Sequence, residues 1–66
     1  MLNLKLSKNA EISRIIKGIN LADLEVNVKT GIKVIESNRI ISSYNNLIIH
    51  HLRLGSIIYI TKIMSK

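Results

Sequence analysis

The only adjacent imidazoles in the chain are His50-His51. In an extended segment they point to opposite faces, so the two rings cannot chelate one metal together. No third and fourth ligand is spaced to join either of them. One ring is predicted to face the protein interior or a partner, the other solvent or a phosphate. The four carboxylates, Glu11, Asp23, Glu25 and Glu36, form no paired acid–base motif. Cys is absent, which excludes disulfides and thiolate metal sites. Gly18, Gly31 and Gly55 stand alone, so no phosphate-cradling loop is formed. No nucleophile elbow surrounds any serine. The sequence therefore predicts no catalytic residue, no metal, no cofactor and no small-molecule substrate.

Cations are better supplied. Lys and Arg number 10 against 4 acidic residues, a formal net charge of +6. They are scattered rather than gathered into a polybasic run. A nucleic acid is the partner this balance favours; an anionic membrane surface and an ordinary solvated surface are the competing readings. The candidates for contacting phosphates and 2′-hydroxyls are Lys29, Lys33, Arg39, Arg53, Lys62 and Lys66. Tyr44 and Tyr59 are the only aromatic residues. Two rings do not make a base-stacking platform, so recognition is expected to read RNA backbone and shape rather than sequence.

The elements that must position these groups follow from periodicity. At 66 residues the chain has room for one domain, residues 1–66. A domain of this size buries only about 60% of its unfolded surface, and a partner can supply what is lacking. Leu2, Leu4 and Leu6 alternate as in a half-buried strand. Ile12, Ile15, Ile16 and Ile19 fall on one helical face, predicting a short helix near residues 10–18 with Asn9 as cap and Gly18 as stop. A strand running through Gly18 competes with it. Leu24, Val26 and Val28 alternate before Lys29-Thr30-Gly31, and Ile32 and Val34 alternate after it. That pattern predicts a hairpin with Gly31 at positive φ, against a helix aligning Leu21, Leu24, Val28 and Ile35. Glu36 to Arg39 reads as a connection, Ile40-Ile41 as a short strand and Ser42 to Asn46 as a turn. Leu47–Leu54 and Ser56–Ile63 flank Gly55 as a second hairpin. The sum is a mainly β fold, a small five- to six-stranded OB-like barrel with one short helix at most.

The segments around the two turn glycines carry a resemblance. Leu24-Glu25-Val26-Asn27-Val28-Lys29-Thr30-Gly31 resembles the Val-rich strand and turn of OB-fold proteins of the translation apparatus. Leu54-Gly55-Ser56-Ile57-Ile58-Tyr59-Ile60 is similar to their later Gly-Asp strand opening, with Ser56 in place of Asp. The tail, Ile60 to Lys66, resembles the end of the small-subunit ribosomal protein seventeen family, without that family's Pro. Initiation factor one is similar over the same stretch but has a Lys-Met-Arg signature with no counterpart here. The resemblance covers residues 14–66 with gaps. It implies a non-catalytic protein held against ribosomal RNA and neighbouring proteins of a complex.

Two other classes compete. Leu21-Ala22 and Ile32-x-x-Ile35-Glu36 fall at helix-turn-helix spacings, and Leu2, Leu4 and Leu6 fit the strand of a ribbon-helix-helix dimer. Either would make the chain a small DNA-binding regulator. A phage-type inhibitor or assembly subunit would instead use the positive charge on an acidic protein. No apolar stretch reaches the roughly 18 residues of a membrane span, and the start lacks a signal peptide's apolar core. An intracellular setting, cytoplasm or organelle matrix, is the corresponding expectation.

Overall fold

The computed structural model describes residues 2–65. Their order is β1 (Asn3–Leu6), α1 (Lys8–Lys17), α2 (Leu21–Thr30), β2 (Ile32–Glu36), β3 (Arg39–Tyr44), β4 (Leu47–Leu54) and β5 (Ile57–Ser65). The protein is mainly β: of the described residues 50% are strand and 31% helix. The strands form one sheet in the order β1-β5-β4-β3-β2, antiparallel throughout except that β1 runs parallel to β5. β1 and β2 are its two edges and do not pair, so the sheet is open. The expected barrel does not close because the segment meant to supply two of its strands supplies only one, preceded by a helix.

That segment is the main departure from the sequence pattern. Leu21–Thr30 is α2 rather than the first arm of a hairpin. Asn20 accepts from the Asp23 amide at 2.9 Å and starts the helix. Asp23 sits in the first turn and Lys29 in the last, each favourable to the helix dipole. Leu24, Asn27 and Val28 are the residues that face the sheet and are buried, spaced as on a helical face. The apparent alternation arises because Val26 is apolar but exposed, while the polar Asn27 is wholly buried.

Asn27 tolerates burial because both its amide nitrogen and its amide oxygen have a partner. Its Nδ2 donates to the Leu47 carbonyl at 2.7 Å, and its Oδ1 accepts from the Ser42 hydroxyl at 2.6 Å. One side chain thus ties α2 to both β3 and β4. Gly31 follows at φ −66°, not the positive φ expected of a hairpin turn. Its glycine is required for a different reason. A Cβ there would meet the Asn27 carbonyl oxygen at 2.5 Å and the Ser43 carbonyl oxygen at 2.9 Å.

The helix expected near residues 10–18 is present as α1, begun by Ser7 instead of Asn9. The Ser7 hydroxyl accepts from the Ala10 amide at 3.1 Å and donates to the Thr61 carbonyl at 3.2 Å, while the Ser7 amide donates to the Ile60 carbonyl at 2.9 Å. Those carbonyls lie at the β-bulge where β5 carries one extra residue opposite His50 and His51. Gly18 ends the helix at φ 67°, with its amide and that of Ile19 closing on the Ile15 and Arg14 carbonyls. The isoleucine stripe does not face the core as expected. Ile12, Ile15 and Ile16 are exposed, Ile16 to 78%, and α1 seats itself on β5 and β1 through Ala10.

The remaining turns are tight. Ser37-Asn38 joins β2 to β3, and Asn45-Asn46 joins β3 to β4 with φ 49° and 67°, the pattern of a two-residue hairpin turn. Ser42, Ser43 and Tyr44 belong to β3 rather than to the turn. The Gly55 hairpin forms as expected. Both helices lie on one side of the sheet, and the core between is Ala10, Leu24, Val28, Ile49, Ile58, Ile60 and Ile63.

Gly31→Ala is expected to destabilise the fold by about 1–3 kcal/mol through steric overlap. Gly18→Ala is expected to cost about 1–2 kcal/mol through its left-handed backbone. Asn27→Leu, which removes the bond to the Leu47 carbonyl and leaves the buried Ser42 hydroxyl without its Asn27 partner, is expected to cost about 1–3 kcal/mol. Urea unfolding midpoints check all three.

Candidate nucleic-acid interface

Two helices on one face leave the other face of the sheet uncovered. Alternation along each strand decides what stands there. β4 contributes Ile48, His50 and Leu52; β3 contributes Arg39 and Ile41; β5 contributes Tyr59, Lys62 and Met64. Three polar groups line up across this surface. His50 lies directly opposite Lys62, and the Arg39 Nη1 is 3.4 Å from the His50 Nδ1. An arginine can only donate, so a hydrogen bond at this contact requires an unprotonated Nδ1 and favours the neutral imidazole. Its pKa is lowered in the same direction, first by burial, then by Arg39 and Lys62, with Glu36 opposing. On β1, Lys5 stands opposite Tyr59 on the same face.

The six cations expected to contact nucleic acid are not all brought together. Arg39 and Lys62 share the uncovered face. Lys29 lies at the end of α2 and pairs with Glu25 at 3.2 Å. The Lys33 ammonium turns back to the Gly31 and Lys29 carbonyls, at 3.2 and 3.4 Å. Arg53 is exposed near the end of β4, on the helix side of the sheet. Lys66 lies outside the described residues. His50, Lys5 and Tyr59 join Arg39 and Lys62, although none of the three is among the cationic candidates. The signal for His50 is present in the sequence, since alternation puts one of the paired imidazoles on each face.

Its neighbour occupies the other face. His51 is 3% exposed, opposite Ile40 and Ile60, and neither ring nitrogen has a hydrogen-bond partner among the described residues. Burial lowers its pKa, with Lys33 and Arg53 acting in the same direction. Among the described residues no three His, Cys, Asp or Glu side chains gather as a metal site would need. A cleft of about 380 Å³ opens between Ile19, Val26, Tyr44 and Leu47, and another of about 500 Å³ between Leu2, Leu4, Leu21 and Val26. The first is also lined by Lys17 and Asp23, the second by Glu25 and Lys29, which pair with each other. Among the described residues no helix is long and apolar enough to cross a membrane.

Both histidines have folded-state pKa values below the ordinary 6.5. The unfolded chain therefore binds protons more readily, and its advantage grows as pH falls. The stability of the neutral rings is complete above 6.5 and is lost as pH falls through their lowered folded-state values. Unfolding free energy measured across this range should decline toward acid. His51→Leu should flatten that decline without loss of stability at neutral pH, since it removes two unpartnered buried nitrogens.

Compared with known proteins, the chain matches no family model, no curated protein and no solved structure.

Proposed function

We propose that the chain is a non-catalytic RNA-binding protein and that its binding surface is the uncovered face of the sheet. The observation that carries this reading is the row Arg39, His50 and Lys62 across β3, β4 and β5, with Lys5 beyond it. Two of these side chains, Arg39 and Lys62, are fixed cations spaced along a surface that no helix obstructs. Phosphates neutralise such groups, and the gain comes largely from released counterions. With its Nδ1 facing Arg39, neutral His50 can donate its Nε2–H to a 2′-hydroxyl oxygen, a group that DNA lacks. The Arg39 guanidinium and the Tyr59 ring offer flat surfaces to unpaired bases. A structured RNA of the translation apparatus is the partner that the sequence resemblance favours.

The aliphatic residues between the cations support a second reading. Ile41, Ile48 and Leu52 give the face an apolar middle, which suits an acidic, partly apolar protein surface. Neither reading needs a catalytic group. The ribbon-helix-helix alternative uses its first strand to pair with a second copy, whereas β1 here is already paired with β5.

Titration against a structured RNA with unpaired loops, a duplex RNA and a duplex DNA over a salt series tests the proposal. The looped RNA is expected to bind most tightly. Arg39→Ala with Lys62→Ala should lower the salt slope by about 1.4, or roughly 0.7 for each phosphate that is no longer neutralised. Lys29→Ala with Lys33→Ala should leave it nearly unchanged. Absence of RNA binding at low salt by the folded protein overturns the reading, and binding of an acidic protein that depends on the same face would replace it.

A further inference from the structure

The two edges of the sheet differ. β1 has four residues, and Leu4 and Leu6 turn from it into the core. β2 has five residues, and every one of them is exposed. Ile32 is 78% exposed, Val34 55% and Ile35 79%, so apolar side chains stand free on both faces of this strand. Neither helix reaches across it: α1 rests on β5 and β1, α2 on β3 and β4. On the side away from β3, its backbone amides and carbonyls have no strand to pair with among the described residues.

Edge strands are commonly protected by a proline, a bulge or an outward lysine. β2 has neither of the first two, and its register with β3 is continuous from Ile32 to Glu36. Its one lysine, Lys33, is folded back onto the Lys29 and Gly31 carbonyls, where it satisfies the end of α2. It does not guard the edge.

We propose that β2 pairs antiparallel with β2 of a second copy, joining the two five-stranded sheets into one. An antiparallel pair of identical strands has a two-fold axis perpendicular to the sheet, and every residue keeps its face. Centring the pair on Val34 places Val34 against its own copy on the uncovered face. Ile32 then lies diagonal to the other Val34, within reach of its side chain. On the helix side, Ile35 lies diagonal to the other Ile35, beside the aliphatic stem of Lys33.

Charge selects a second copy at this edge and excludes one elsewhere. β2 carries Lys33 and Glu36 and is locally neutral. Two chains of net charge +6 can meet along it with each Lys33 directly opposite an Ile35; the two Lys33 are diagonal to one another, but each ammonium is turned back onto its own Gly31 and Lys29 carbonyls. Stacking the uncovered faces would instead bring two rows containing Arg39 and Lys62 against each other. The edge-to-edge dimer keeps both rows on the same side of one wide sheet. It stands on the geometry of β2 and not on the RNA reading.

Sedimentation velocity and cysteine crosslinking of the full chain, without nucleic acid, test the dimer. A concentration-dependent dimer is expected; a monomer throughout the micromolar range overturns the proposal. Val34→Lys should abolish the dimer while the circular dichroism spectrum is unchanged, and a dimer that survives this change overturns the edge as the interface. Because the chain has no Cys, Val34→Cys introduces the sole thiol. It should form a disulfide-linked dimer under mild oxidation, whereas Ile48→Cys, in the middle of the uncovered face, should not. Crosslinking through position 48 alone, or through neither, overturns the proposal. These readouts are separate from RNA affinity, so either idea can fail without the other.

Discussion

The arrangement depends on one buried amide. Asn27 gives a donor to the Leu47 carbonyl and its acceptor to the Ser42 hydroxyl, and both the Asn27 and Ser42 side chains are fully buried. A buried polar group left unpaired is expensive, and one fully paired is directional. Apolar contacts between Leu24, Val28 and Ile49 would hold α2 near the sheet in several orientations; the amide selects one. Gly31 completes the fit, because the chain leaves α2 so close to β3 that no side chain fits between them.

This docking also decides which side of the sheet stays open. With α1 over β5 and β1 and α2 over β3 and β4, all the available helix is used on one face. The opposite face inherits the alternate residues of every strand. Those residues include apolar ones that a domain of this size cannot cover by itself. The same shortage leaves Ile12, Ile15 and Ile16 on the outside of α1. Exposed aliphatic surface is therefore a consequence of having too few elements to cover the second face of the sheet.

Much of the strand content is legible in the sequence. Leu2, Leu4 and Leu6 alternate because one side of β1 is buried, and the Gly55 hairpin shows in its turn and flanking apolar runs. The helix ending at Gly18 is legible in its spacing. What misleads is polarity standing in for exposure: Asn27 reads as a solvent position and is a core position, while Val26 reads as core and is exposed. The isoleucines of α1 mislead in the same way, since a helical apolar stripe normally marks a buried face. For the candidate interface, alternation separates His50 from His51, but only the register of β3, β4 and β5 sets Arg39 beside His50 and Lys62. Sequence spacing carries no information about that cross-strand row, and so Lys29, Lys33 and Arg53 look equivalent to Arg39 and Lys62.

The parallel pairing of β1 with β5 joins residues 3–6 to residues 57–60, the first element to the last. Every other strand pair is a local hairpin that can form as soon as its turn is made. β1 has no partner until β5 exists, and the Ser7 bonds that start α1 end on β5 carbonyls as well. During synthesis the amino-terminal segment must wait for β5 to leave the ribosome. Closing that long loop costs entropy that the local hairpins do not incur.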